Sequence, residues 1–252
     1  MILHQFRYDL LAFFRNRQSR FFTIVLPVLF LVIFVSVFGN DTLRNGVKGS
    51  TYYVPGLSAM GVIAASFVNL VISVTTQRES GVLKRRRATP VPASVLIAGR
   101  ALTAIVIALA TMTVLLLIGR FGYGVRLPTH TLPGVVVTAV IGAASFVCVG
   151  FAFTTVIKNE DAAQPMVQAA MLPLYFISGI FIPNVNLPTW LRDVAEVFPV
   201  QHLADGLHHA FDPATRGAGF VWSDVGMLLL WAAVGLAVAL WRFTWTPAAA
   251  AA

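Results

Sequence analysis

Charge is what this sequence has least of. Of its 252 residues, 11% are Asp, Glu, Lys or Arg and 58% are hydrophobic, whereas a soluble domain carries about 25% charged residues. A soluble fold must cover its surface with polar side chains whatever the size of its core. The deficit therefore excludes an ordinary water-soluble domain and points to a bilayer. Cysteine is nearly missing too: Cys148 stands alone, which excludes an intrachain disulfide and reads as a small packing residue. All ten carboxylates lie in loops or at the edges of apolar stretches. That disfavours an intramembrane hydrolase or a proton-coupled carrier, since both need ionisable groups at depth. Neither G-x-x-x-x-G-K-[ST] nor G-x-G-x-x-G occurs, so the loops that cradle nucleotide phosphates are absent. The chain reads as a protein without catalytic centre, metal or cofactor of its own.

What is present is a set of long uncharged stretches, 21–40, 49–77, 101–119, 127–157, 162–191 and 225–241. Each suffices for one crossing of roughly 20 residues and none for two. They are continuously apolar, as in IVLPVLFLVIFVSVF, and do not alternate as barrel strands do. The expectation is an all-α membrane protein with six transmembrane helices over 21–246, at about Phe21–Phe38, Val54–Thr76, Ala101–Gly119, Gly134–Ile157, Pro165–Ile182 and Asp224–Trp241. Residues 1–20 are basic and amphipathic and lack a signal-peptide cleavage pattern. The alanine-rich tail 247–252 is of low complexity and carries no argument.

Basic residues orient the chain. With the N-terminus inside, Arg7, Arg15, Arg17, Arg20, Arg78, Lys84, Arg85, Arg86, Arg87, Arg100, Lys158 and Arg242 are cytoplasmic. Arg44, Lys48, Arg120, Arg126, Arg192 and Arg216 are outside. The two-to-one excess places both termini in the cytoplasm. The basic balance then reflects topology and attraction to lipid headgroups, not nucleic-acid binding.

Along the chain, Leu3, Phe6, Leu10 and Phe13/Phe14 recur at helical spacing and predict an interfacial N-terminal helix over 1–20. Pro27 should bend the first span. Gly56, Gly61, Ala64 and Ala65 in the second, and Gly142, Ala143, Ala144, Ser145 and Gly150 in the fourth, offer small-residue packing faces. Pro173 interrupts the fifth span. One expectation is an ordinary kink; the other is a path-lining helix that flexes, with Tyr175, Phe176, Ser178 and Asn184 as candidates. Residues 183–223 split at Pro199 into two short amphipathic helices that dip back into the outer face. Asn186 is the expected cap of the first, with Trp190, Val194 and Val197/Phe198 on one face. Leu203, Leu207 and Phe211 line the second. His202, His208 and His209 read as interface residues rather than metal ligands.

The loop 77–100, QRESGVLKRRRATPVPASVLIAGR, is too short for a domain. Gly81 and Thr89-Pro90-Val91-Pro92 bracket a helical segment, Val82 to Ala88. A short rigid helix between two spans is a lever, because force on it moves both. RESGVLKRRRATPVPASVLIAGR, with an acid near a glycine, a hydrophobic-basic stretch and Thr-Pro before a small-residue run, resembles the cytoplasmic loop of the type-2 ABC transporter permease family. SGIFIPNVNLPTWLRDVAEVFPVQHLADGL similarly resembles that family's segment after the fifth span, closer to the drug-exporter branch than to the polysaccharide branch.

The resemblance implies a half-transporter. A second permease chain, expected as a homodimer with a heterodimer as the alternative, pairs around a path. Two separate ATPase subunits bind ATP and Mg beneath. The loop corresponds to a coupling element for the ATPase, formed by Arg78, Glu79, Gly81, Lys84, Arg85, Arg86, Arg87, Thr89 and Pro90, with the N-terminal elbow helix as a second contact. The expected activity is export of a hydrophobic or amphipathic compound (a drug, lipid or lipid-linked molecule) across a bacterial inner membrane. A polysaccharide or glycolipid exporter, a non-transporting anchor subunit and an ion-coupled carrier are the alternatives.

Overall fold

Every regular element among the described residues, 2–38, 48–87 and 93–242 of the computed structural model, is a helix. In chain order they are α1 (Ile2–Arg15), α2 (17–38), α3 (Gly49–Glu79), α4 (Val82–Arg87), α5 (Ala93–Tyr123), α6 (Leu132–Phe153), α7 (Glu160–Ile177), α8 (Thr189–Glu196), α9 (Pro199–Phe211) and α10 (Trp222–Arg242). Five of them, α2, α3, α5, α6 and α10, are long and apolar enough to cross a membrane. Trp222 and Trp241, both exposed, stand at opposite ends of α10. Their separation corresponds to about 28 Å of helical rise, close to the hydrocarbon thickness that interfacial tryptophans bracket.

α3 is the central helix and the most buried of the five. It runs from Gly49 to Glu79, beyond the predicted Val54–Thr76 at both ends, and rises about 46 Å. Three of its hydroxyls are satisfied within the helix: Ser58, Ser66 and Thr75 donate to the carbonyls of Val54, Val62 and Val71 at 2.7, 2.5 and 2.8 Å. In α2, Pro27 has no N–H for the Thr23 carbonyl, and the turn before it, Phe21–Val25, widens to a π-helix in which the Leu26 N–H reaches the Phe21 carbonyl.

The predicted fifth span is shifted. Its helix, α7, starts at Glu160 because Asn159 caps it, the Asn159 side chain accepting from the Ala162 N–H at 2.9 Å. It ends at Ile177, before Gly179 at φ +75°, so residues 178–182 turn rather than continue the predicted Pro165–Ile182. With Glu160 and Asp161 in its first turn and Pro165 and Pro173 inside, α7 is not one of the five long apolar helices.

In α1, Leu3 and Phe14 are exposed, and Asp9 is buried together with Phe13. The inward line is Gln5, Asp9 and Phe13, which lies against α5, where a Cβ on Gly99 would come within 2.6 Å of the Gln5 side chain. The end of the bundle on which α1 lies, with the close of α3, α4 and the start of α7, is called proximal below.

At the distal end, α9 is inserted among α3, α6 and α10, with Leu203, Leu207 and Phe211 buried. α8 carries Trp190, Val194 and Val197 outward. Asn186 does not cap it: Asn184–Asn186 form a 3-10 turn and Pro188 occupies the cap position with no side-chain bond. Proline restricts its own predecessor to extended backbone, which moves the helix start past it.

α6 and α10 approach backbone to backbone. A Cβ on Gly235 would sit 2.7 Å from the Val149 nitrogen, whereas one on Gly226 meets nothing within 4 Å. Gly235→Ala is expected to destabilise the protein by ~1–3 kcal/mol through overpacking. Gly226→Ala should be neutral or stabilising by up to ~1 kcal/mol from helix propensity. Unfolding midpoints in detergent distinguish the two signs.

Candidate functional site

The proximal joint is built where α3 ends. Arg78 is 3% exposed. Its Nη1 donates to the Thr154 carbonyl at 3.0 Å and its Nη2 to the Ile157 carbonyl. Both acceptors belong to the short connection from α6 to α7, whose carbonyls have no helical donors. Next to it, Glu79 Oε2 accepts the Glu160 N–H at 2.7 Å. A carboxylate there also faces the positive end of the α7 dipole. Two consecutive residues of α3 thus hold the end of α6 and the start of α7.

α3 then closes at Gly81, whose φ of +71° favours glycine, and α4 begins. Leu83 is fully buried with Leu70, Val74, Ala104, Val147 and Phe151, so one side chain ties α4 to α3, α5 and α6. Lys84 and Arg85 are exposed on the other side. The side chains of Arg86 and Arg87, and the whole of Thr89 and Pro90, lie outside the described residues. Of the residues expected to meet a partner directly, Arg78 is therefore turned inward, Glu79 is exposed but engaged within the chain, and Lys84 and Arg85 are the exposed charges.

The other candidate group sits at the distal end. Tyr175 and Ser178 are buried and Phe176 is exposed. Tyr52 of α3 donates to the Gly179 carbonyl, to which His208 Nε2 also lies within 3.2 Å, and the Tyr52 and His208 rings stack at 4.5 Å. Asn184 and Gln201 donate to the two oxygens of Asp205 at 3.2 and 2.7 Å. His202 lies between the Asp224 carboxylate and the Glu196 carbonyl, 2.8 Å from each. α7 is consequently held at both ends by one helix, to Glu79 at its start and to Tyr52 just past its end.

Three groups of this distal cap titrate abnormally. Burial pushes the Asp205 carboxyl up to about 6 and the His208 imidazole down to about 4. The hydrogen bond to Asp224 raises His202 above its ordinary value. By linkage, the raised His202 contributes stability that is complete below its unfolded value of about 6.5 and lost as pH rises through its folded value. The cost of burying the Asp205 carboxylate begins near pH 4 and is complete above about 6. The cost of burying His208 begins below about 6.5 and is complete near 4. The last two oppose each other in acid. Asp205→Asn is therefore expected to lose stability more steeply than the parent as pH falls from 6 to 4, and His208→Gln to gain it, as read from thermal unfolding across that range.

Sequence reading missed two features. In sequence, Asp9 is one of ten carboxylates outside the apolar stretches and Arg100 reads as a topogenic cation. They are buried together, 3.5 Å apart, with Gln5 donating to Asp9 at 2.9 Å and Arg100 to Ser73 at 3.1 Å. The available signal was the Gln5, Asp9, Phe13 spacing, one helical line with a carboxylate in it.

An all-helical bundle, among the described residues, with five helices long and apolar enough to cross a membrane is the architecture of a multi-pass membrane protein. The chain belongs to the ABC-2 family: the family described as ABC-2 family transporter protein matches residues 40–241. It is similar to the probable multidrug ABC transporter permease YbhR of Escherichia coli (strain K12), 27% identical over 61% of this chain and 42% of YbhR, so it spans less than half of that relative's length. It is also similar to the daunorubicin resistance ABC transporter permease protein DrrB1 of Streptomyces coeruleorubidus, 26% identical over 82% of this chain and 71% of DrrB1. The inner membrane transport permease YadH of E. coli (strain K12) is 24% identical over 75% of each chain.

Arg78→Met removes both donors to the α6–α7 connection and should cost ~3 kcal/mol, the scale of charged hydrogen bonds lost from buried carbonyls. Arg78→Lys should recover only part of it, because a single ammonium lacks the planar fork. Chemical unfolding of the purified chain in detergent measures both.

Proposed function

We propose that this chain is the transmembrane permease subunit of an ATP-driven exporter that moves a hydrophobic or amphipathic compound out of the cytoplasm, powered by a separate ATPase subunit. The observation that carries the reading is the proximal joint. α4 presents Lys84 and Arg85 outward while Leu83 anchors it inward, and the Arg78–Glu79 pair beside it grips the start of α7. A load applied to α4 by a docked ATPase passes through buried packing to α3, α5 and α6, and through hydrogen bonds to α7. The names of YbhR and DrrB1, a multidrug and a daunorubicin resistance permease, support the substrate class.

In this reading α7 is the sixth crossing. Its 18 residues rise about 27 Å, and its attachments to Glu79 and Tyr52 lie at opposite ends of α3. The proximal end, which gathers Arg15, Arg17, Arg20, Lys84 and Arg85, faces the cytoplasm of a bacterial inner membrane. α1 lies in the interface, and α8 and α9 form the outer cap. Two copies pair around the path, two ATPase subunits with ATP and Mg sit beneath, and Tyr175, Phe176 and Ser178 flank the outer part of the path.

Co-expression with its ATPase is expected to yield a stable complex whose ATP turnover rises with lipophilic substrates. The double variant K84E/R85E should lower permease-dependent turnover by about tenfold, equivalent to ~1.4 kcal/mol of docking, and leave the permease's own unfolding midpoint unchanged. Turnover indifferent to this reversal would remove α4 as the docking element.

A further inference from the structure

The first span is loosely attached near its proximal end. Of residues 17–25 only Thr23 is buried. A polar hollow of about 240 Å³, walled by Asn16 and Ser19 on one side and Asn69, Ser73 and Gln77 on the other, lies between the α1–α2 joint and α3. Farther along, Phe30 and Phe34 pack on Phe181 and Tyr53, with ring centroids 5.4 and 5.2 Å apart. α2 is therefore fixed in its distal half, and the hold on its proximal half comes from elsewhere.

α1 supplies that hold. The Asp9 carboxylate lies 3.5 Å from Arg100 Nε of α5, and the two side chains are 4% and 9% exposed. Gln5 donates to the same carboxylate at 2.9 Å and packs on Gly99, the neighbour of Arg100. Arg100 Nη1 also donates to Ser73 of α3 at 3.1 Å. One guanidinium of α5 thus meets both α1 and α3. Arg100 and Ser73 stand seven and six residues from Ala93 and Glu79, the ends of the two helices that flank α4, or roughly 10 Å of helix each. A buried charge parted from its partner is costly, so this contact resists sliding. From α1 the chain passes to α2 through Asn16. Its N–H donates to the carbonyls of Ala12 and Phe13, and its side chain accepts from the Ser19 N–H at 3.1 Å. Hydrogen bonds on both sides of Asn16 make the two helices one bent body.

We infer that the Asp9–Arg100 pair is the positioning contact that carries a displacement of α4 to α1 and, across Asn16, to the first span. It makes α1 a link within the bundle and not only a surface anchor. The link stands on the contacts above; its part in transport rests on the exporter reading.

The test uses the full chain in nanodiscs, alone and in complex with its ATPase, in a Cys148→Ala background. Asp9→Leu combined with Arg100→Met removes the pair without leaving a buried charge, an exchange that is often neutral or stabilising. The thermal unfolding midpoint is expected to stay at or above that of the parent. Amide exchange of residues 2–20 is expected to rise about tenfold, equivalent to ~1.4 kcal/mol of local opening, while α6 and α10 exchange as before. In the complex, substrate moved per ATP hydrolysed should fall by a similar factor. A Cβ at position 99 would lie 3.1 Å from that of Gln5, close to the ~3.5–4.5 Å of a disulfide. Adding Gln5→Cys and Gly99→Cys to the double variant should therefore restore slow exchange and the transport ratio when oxidised, and lose both when reduced.

Unchanged exchange of residues 2–20 in the double variant overturns the link. A transport ratio that stays parental, or that falls and is not restored by the disulfide, overturns its part in transmission. If the double variant does not fold, the same disulfide placed in the otherwise parental chain decides: α1 and α5 that travel together tolerate it, and a block of transport on oxidation overturns the proposal. A parental complex that moves no substrate counts against the exporter reading alone, because amide exchange still reads the link.

Discussion

A polar atom taken out of water must find its partner within the chain, and this molecule is organised around that requirement. In the apolar interior no solvent competes, so an unmet donor or acceptor carries its full desolvation cost. α3, the most buried long helix, meets the requirement locally along its length by folding Ser58, Ser66 and Thr75 back on its own carbonyls. Where α3 ends, local satisfaction is no longer available. Arg78 turns inward to the carbonyls between α6 and α7, and Glu79 takes the first N–H of α7. Bonds made to satisfy helix ends are therefore also the bonds that join the elements.

That coupling has a mechanical consequence. Tight glycine contacts such as Gly235 against Val149, and Gly142 under Leu203, leave α6, α9 and α10 little room to move separately. α7 has a different kind of attachment. It contains two prolines, and polar contacts hold it at its two extremities. An element fixed at its ends and weakened within is suited to bending when one end is displaced. α4, anchored through Leu83 beside the fixed start of α7, is where such a displacement enters under the proposed function.

Much of this was legible in the order of the residues. Five long helices followed from uninterrupted apolar length, a one-dimensional property that needs no knowledge of neighbours. The short helix after Gly81 and the split at Pro199 followed from glycine and proline, which restrict backbone angles locally. The misplacements occurred where a side chain could bond in more than one way. Asn159 and Asn186 are both plausible caps on paper, but only Asn159 caps a helix. His202, His208 and His209 look alike in sequence. In the fold, one bridges Asp224 and the Glu196 carbonyl, one stacks on Tyr52 and one is exposed.

The sequence by itself determined that this is a helical membrane protein, where most of its crossings fall and that it carries no nucleotide loop, because hydrophobic length and local backbone preference are written residue by residue. Only the tertiary structure decided that Arg78 faces inward, that Asp9 is buried against Arg100 and that His208 stacks on Tyr52. Each depends on which helix comes to lie beside which. In a chain with so few charges, the partner of every buried polar group is chosen by packing across tens of residues, and no local pattern records that choice.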